Sequence, residues 1–256
     1  MAVRKPPYLD SPSASPNAPD APPTRRSSYF SSSIGKKVLM AITGLSLVGF
    51  LVFHLIGNLL LFFGPASLNA YSNWLIVNPL VVPAEIGLLA LFVVHIFEAA
   101  TNWLTNRNAR PVPYYNATRR LFGYGWAGKP SRKNVASTTM IVTGIVILVF
   151  VVIHLIQFKF GPNYPVTSAA YGTPGIRDLY RLDVQNFTNS VIVGFYVICL
   201  ALIGFHLWHG ITSALNSLGI DHPRYTPTML RISRVVAVVI AAGFIAIPLW
   251  IYFVRG

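Results

Sequence analysis

Four histidines carry most of the chemistry this chain offers. His54, His95, His154 and His206 each sit inside a long apolar run, 16, 15, 16 and 16 residues past Val38, Leu80, Thr138 and Ser190, which lie at or within a few residues of the run starts. An imidazole in hydrocarbon is costly and marks function. Consecutive membrane-crossing runs point in opposite directions, so equal spacing sorts the rings into two layers, His54 with His154 and His95 with His206. Two stacked pairs of imidazoles suit two six-coordinate haems. Iron held between two imidazoles moves electrons and keeps no open position for oxygen or substrate. A lone histidine of this kind would be read as a polar group bonded to a neighbouring helix. Four at matched depth on four runs favour metal ligation.

His209 is the rival ligand, three residues past His206 and able to face the same side. Depth favours His206, which leaves His209 at the interface to bond a propionate, move a proton or stay solvated. His222 lies in a polar loop. Zinc or di-iron chemistry needs three ligands or inward carboxylates. Glu85 and Glu98 are the only acids within the apolar runs, too few for that use.

Positioning these rings falls to five runs: Val38–Phe63, Leu80–Leu104, Val135–Phe158, Ser190–Leu215 and Val235–Val254. Each approaches or exceeds the roughly 20 residues needed to cross a bilayer core. Only helices and closed barrels satisfy the backbone in lipid, and the runs lack a barrel's alternation. The chain therefore reads as an all-α integral membrane protein, a five-helix bundle. Gly64-Pro65 and Gly161-Pro162 close helices, Asn78-Pro79 opens one, and Pro248 predicts a kink in the last. Cys199 stands alone within a run and reads as a small buried apolar residue.

The charge follows the same plan. The net charge is +13, yet the charged residues make up only 11% of the chain. Arg25, Arg26, Lys36 and Lys37 precede the first run, and seven Arg and Lys from Arg107 to Lys133 fill the second loop without an acid. Arg224, Arg231 and Arg234 face Asp221 in the fourth loop. The first loop is uncharged, and the third is mixed. This alternation is the positive-inside pattern, with the N-terminus cytoplasmic and the C-terminus outside. It argues against nucleic acid as the partner. Residues 1–30, rich in Pro, Ser and Ala, read as a disordered cytoplasmic tail, and no secretory signal precedes Val38. Residues 31–256 form the membrane domain.

An internal repeat underlies the histidine pattern. Met40–Ile56 aligns on Met140–Ile156 with eight identities in 17 positions: Met40, Thr43, Gly44, Phe50, Val52, His54, Leu55 and Ile56 recur 100 residues later. A fainter echo joins Leu89-Ala90-Leu91 to Leu200-Ala201-Leu202. The chain reads as a duplicated two-helix hairpin followed by a fifth helix. Gly44, Gly49, Gly57, Gly87, Gly144, Gly194 and Gly204 lie on these helices, either for close helix packing or to let a flat macrocycle approach.

Four passages carry a resemblance. They are Ser33-Ile34-Gly35-Lys36-Lys37 with Met40 and Thr43-Gly44-Leu45; His54-Leu55-Ile56-Gly57-Asn58-Leu59; Asn106-Arg107-Asn108-Ala109-Arg110-Pro111; and Gly204-Phe205-His206-Leu207-Trp208-His209-Gly210. Over residues 28–255 the chain resembles the diheme cytochrome b anchor of succinate:quinone oxidoreductases (succinate dehydrogenase or fumarate reductase), the single-polypeptide five-helix type. The resemblance implies two b haems on His54/His154 and His95/His206. It implies flavoprotein and iron–sulfur partner subunits, a quinone such as menaquinone, and the bacterial inner membrane. Succinate would be handled by the partners. Lys36 and Arg110 would face the iron–sulfur subunit and the haem propionates, or simply obey positive-inside topology. Glu85 becomes a candidate proton donor to quinone, or an interfacial carboxylate in contact with water. Asn69, Tyr71 and Trp74 would shape a quinone pocket, or form an aromatic belt. Some relatives with potential-coupled chemistry carry a carboxylate near the fourth-span histidine; here Gly204 stands two before His206, a departure that leaves such a proton route open to question.

Two other readings use the same residues. One is the diheme cytochrome b of another quinone-linked dehydrogenase. The other is a cofactor-free repeat transporter whose histidines couple protons.

Overall fold

The computed structural model of the chain describes residues 32–108, 139–220 and 222–255. The tail at 1–30, Arg110 and the basic residues of the second loop beyond Arg107 lie outside the described residues.

Among the described residues all five apolar runs are helical. Helix α1 spans Ser33–Leu59, α3 Val81–Asn108, α4 Met140–His154, α6 Ser190–Ser217 and α7 Thr226–Val254. With their short extensions all five are long and apolar enough to cross a membrane. Among the described residues there is no β-strand, only an isolated bridge between Pro165 and Arg177. Helix α7 starts nine residues before the Val235 expected from apolarity. Arg231 and Arg234 lower hydropathy without opposing helix formation, so the apolar boundary and the helix boundary part company there. The helix also runs on through Pro248 to Val254.

Local signals set the ends. Ser32 caps α1, its Oγ accepting from the Gly35 amide at 3.0 Å. Asn189 caps α6 by accepting from the amides of Val191 (2.9 Å) and Ile192 (3.4 Å). A short 3₁₀ turn, Leu60–Phe63, extends α1 and stops at Gly64, whose φ of 100° suits glycine.

Two short helices occupy segments read as loops. Helix α2, Pro65–Val77, follows Gly64 at once, with Pro65 in its first turn. Gly64-Pro65 thus both ends one helix and starts the next, because proline's fixed φ and missing N–H suit a first turn. Helix α5, Leu179–Phe187, is capped by Asp178, which accepts from the Arg181 amide at 3.0 Å. The two helices pack together at the end of the bundle away from Lys36. That end is called the cap end below; the other is the basic end.

Asn69 joins the caps. It is 0% exposed. Its amide nitrogen donates to the Tyr171 carbonyl and to Asp178 Oδ1, both at 2.9 Å, and its oxygen accepts from the Tyr180 amide at 3.0 Å. Buried polar groups bonded at both ends in this way hold a unique arrangement.

The core lies among α1, α6 and α7, with Phe150 of α4 and the inner side of α5 completing it. Close backbone approach makes this possible. A Cβ at Gly204 would meet Ala241 Cβ at 2.9 Å, and one at Gly243 would meet Leu55 Cδ2 at 2.8 Å. Small residues at such crossings are what packing between apolar helices requires. Helix α3 packs on α1, and α4 packs on α6. In their most apolar stretches only 6% and 11% of residues are buried, against 33% in α6 and α7, so α3 and α4 are the lipid-facing flanks.

Candidate functional site

The histidines come in two sets, and the repeated residues hold both. At the cap end His54 of α1 faces His154 of α4, with ring centroids 5.9 Å apart and planes at 85°. The phenylalanine one turn before each ring stacks on it: Phe50 on His54 at 5.3 Å and Phe150 on His154 at 5.8 Å. Phe244 of α7 closes on His54 at 5.6 Å. Asn58 Nδ2 donates to the His54 carbonyl at 2.7 Å and lies 3.4 Å from His54 Nδ1. His154 Nδ1 is buried and has no hydrogen-bond partner among the described residues.

Toward the basic end, His95 of α3 and His206 of α6 are close enough to interact electrostatically. Thr43 Oγ1 lies 3.3 Å from His95 Nδ1, and Thr143 Oγ1 lies 3.0 Å from His206 Nδ1. Each threonine hydroxyl already donates to its own helix. Thr43 reaches the carbonyls of Leu39 at 2.9 Å and Met40 at 3.1 Å; Thr143 reaches those of Thr139 and Met140, both at 3.1 Å. A hydroxyl has one hydrogen and two lone pairs. With the hydrogen spent, its oxygen accepts from the imidazole. A proton on Nδ1 of each ring fits this arrangement and would leave each Nε2 lone pair free. The adjacent glycines make room. A Cβ at Gly44 would come within 3.1 Å of His95 Cε1, and one at Gly144 within 3.7 Å of His206 Cε1.

The spacing of the layers follows from the helices. Thr43 marks the lower layer on α1 and His54 the upper, 11 residues apart; Thr143 and His154 repeat this on α4, again 11 apart. At about 1.5 Å per residue the layers are separated by about 16 Å.

The sequence singled out Thr43 and Thr143 as repeat identities but gave them no task. Their position 11 residues before a buried histidine, about three turns along the same helix, was the available signal.

The remaining candidates fall at the two ends. His209, one turn from His206 toward the basic end, is half-buried and within electrostatic reach of it. Arg234 lies over the intervening Trp208 ring at 5.3 Å. Glu98, one turn past His95, is buried, and its Oε2 has no hydrogen-bond partner among the described residues. Lys36 lies at the start of α1, partly exposed. At the cap end Glu85 is ion-paired with Lys159 across α3 and the end of the α4 span. Tyr71 lies against Gly57, one turn from His54, where a Cβ would come within 2.6 Å of its ring. Trp74 stacks with Tyr71 at 6.3 Å and is exposed. Both hydrogens of the Asn69 amide are committed inside the fold, so it braces the cap.

No family model, curated protein or solved structure matches the chain. Among the described residues no three His, Cys, Asp or Glu side chains converge as a metal site. The histidines meet in twos.

Proposed function

We propose that this chain is the membrane anchor and electron-transfer subunit of a quinone-linked oxidoreductase of the succinate dehydrogenase type. Haem b would be held by His54 with His154, and a second haem b by His95 with His206. The observation that carries the reading is the pair of threonine acceptors. A ligating histidine commonly donates its second ring N–H to a fixed acceptor, which sets the tautomer and orients the ring. Thr43 and Thr143 do this for His95 and His206. His54 and His154 meet with ring centroids 5.9 Å apart and would supply the two imidazoles for the other group.

When bound, such a group supplies one-electron transfer without an open coordination position. The chain's own residues do the rest. Phe50, Phe150 and Phe244 keep the upper rings apolar, Gly44 and Gly144 admit the lower rings, and α6 and α7 fix the frame. The basic end carries Lys36, Lys37, Arg107, Arg231 and Arg234 and would face the cytoplasm and the iron–sulfur partner. The cap end, where Glu85, Tyr71 and Trp74 lie near the upper pair, would receive quinone from the lipid, menaquinone being the resemblance's choice. Glu85 would give up its Lys159 partner to act as a proton donor.

An optical redox spectrum of the purified protein tests this. Two b-type haems per chain are expected, both reducible by succinate in the intact complex. A preparation free of haem absorption would overturn the reading in favour of a cofactor-free transporter.

A further inference from the structure

The two upper histidines are equivalent in the repeat but are not held alike. His54, His95 and His206 each have a polar side-chain atom near Nδ1: Asn58 Nδ2 at 3.4 Å, Thr43 Oγ1 at 3.3 Å and Thr143 Oγ1 at 3.0 Å. His154 Nδ1 is buried and has none among the described residues. The reason lies 100 residues after Asn58, where the chain has Phe158. The Phe158 ring packs on His154 with centroids 5.3 Å apart. Phe150 at 5.8 Å and Tyr196 at 6.3 Å complete the aromatic wall. Ring packing, in place of a hydrogen bond, therefore sets the plane of this imidazole.

Phe158 belongs to a π-helical turn, Leu155–Lys159, that begins directly after His154. Helix α1 stays regular through the corresponding residues, Leu55 to Leu59. Turns of this kind are rare and recur at functional sites. This one is held by contacts from three other segments. Arg177 Nη2, from the chain before α5, donates to the carbonyls of Phe158 at 2.9 Å and Gly161 at 3.4 Å. Tyr196 of α6 donates its hydroxyl to Gln157 Oε1 at 2.5 Å. Lys159 pairs with Glu85 of α3. The turn is also closed tightly on itself. The Phe160 amide donates to the Leu155 carbonyl at 2.9 Å, and a Cβ at Gly161 would stand 1.9 Å from the Gln157 carbonyl oxygen.

The grips from α3 and α6 occupy one place in the repeat. Glu85 lies ten residues before His95, and Tyr196 ten before His206. Each half thus sends a polar group from its second helix onto the same turn of the α4 span. Their weights differ. Glu85 and Lys159 are 46% and 47% exposed, and an ion pair so open to solvent holds little. Tyr196 is 3% exposed. Its ring also packs on Phe150 at 5.1 Å, on Phe187 at 5.0 Å and on Phe158 at 6.1 Å. One side chain therefore touches His154, both phenylalanines that flank it and the turn that follows it.

We propose that Tyr196 is the positioning residue for His154. Its hydroxyl pins the π turn through Gln157, and its ring, with Phe150 and Phe158, fixes the plane of the imidazole. This rests on the proposed function, in which His154 is an axial ligand of the upper haem. A ligating histidine is ordinarily oriented by an acceptor on its second nitrogen. Tyr196 and the turn do that work where no acceptor is present. What they hold is the angle of His154 to His54, whose ring planes stand at 85°. In a low-spin ferric haem the angle between the two imidazole planes governs the splitting of the iron d orbitals. Electron paramagnetic resonance reads that splitting as g-anisotropy, which is largest for perpendicular rings.

The test is electron paramagnetic resonance of the oxidised, purified full-length protein with its haems. The feature that His154→Ala abolishes is the upper haem's. Tyr196→Phe keeps the ring and removes the hydroxyl; Gln157→Leu removes the acceptor and leaves Tyr196 in place. Each is expected to retain two haems per chain and to shift the upper feature toward smaller anisotropy, with the lower haem's feature unmoved. The double variant should shift it no further, because both single changes break the same bond. An upper feature at its wild-type position in both single variants would overturn the proposal. So would equal shifts in both haems, the mark of general loosening of the bundle. A wild-type protein without b-type absorbance would instead strike the proposed function, a separate and distinguishable result.

Discussion

Thr143 Oγ1 lies 3.0 Å from His206 Nδ1, and 100 residues earlier Thr43 stands in the same relation to His95 at 3.3 Å. The repeat therefore conserves a contact between helices as well as a helix. In each half the first helix carries the upper histidine and, 11 residues before it, the acceptor for the lower histidine on the second helix. Duplication of one hairpin yields both layers because each hairpin contributes one ring to each.

Replacing Thr143 by valine removes the acceptor and keeps the shape. A hydrogen bond at Nδ1 adds negative character to the ring and favours the oxidised metal. Loss of about 1 kcal/mol of that bond should raise the midpoint potential of the haem proposed at His95 and His206 by on the order of 40 mV. Thr143→Ser should leave it unchanged. Redox titration followed optically decides this, and equal potentials in the valine variant would refute the acceptor role.

Single alanine variants should group by layer. His54→Ala and His154→Ala are expected to lose the same b-type signal, and His95→Ala and His206→Ala the other. Low-temperature spectra of the four proteins provide the check. A shared loss between His54→Ala and His95→Ala would break the pairing.

The two glycines beside the lower rings should not respond alike. Alanine at position 44 would place its Cβ 3.1 Å from His95 Cε1, tight enough to displace the ring, whereas at 144 the 3.7 Å separation is ordinary contact. Gly44→Ala should shift the lower-layer signal and Gly144→Ala should not. Comparison of haem content and spectra in the two variants tests the asymmetry.

Asn69→Ala should loosen the cap without touching the histidines. It leaves the Tyr180 amide, the Tyr171 carbonyl and one Asp178 oxygen short of a partner, at a cost of about 1–3 kcal/mol for a buried group. Thermal unfolding in detergent should move to lower temperature while the absorption spectrum holds. A spectral change with unaltered stability would contradict the bracing role.

Asp183, buried on α5, should write itself into the pH dependence of stability. Its carboxyl titrates near 3.8 when unfolded and at about 8 when buried. Between those values the folded chain binds the extra proton, so stability falls as pH rises through the window and levels off above it. Asp183→Asn should flatten that slope. Melting temperatures of the solubilised protein across this range would settle the point, and identical slopes in the two proteins would count against a carboxyl so perturbed.

The five spans, the two layers and the pairing of His54 with His154 were all legible in the residues. Apolar runs this long have few ways to satisfy their backbones in lipid, and fixed rise per residue turns spacing into depth. Sequence reading left Asn69 between a quinone pocket and an aromatic belt because polar loop residues near a membrane face are ambiguous until their partners are known. Asp178 and Tyr180, which claim it, lie 109 and 111 residues away.

What the sequence alone determined is thus one-dimensional: how many helices, how long, and at what height each imidazole stands. The rotation of each helix about its axis, and with it the choice of Thr43 and Thr143 as acceptors, came only with packing. So did the burial of Asp183 under a cap built from two supposed loops. Such contacts join segments 52 to 111 residues apart. Local propensity says nothing about them; the close fit of α1, α6 and α7 decides which faces meet.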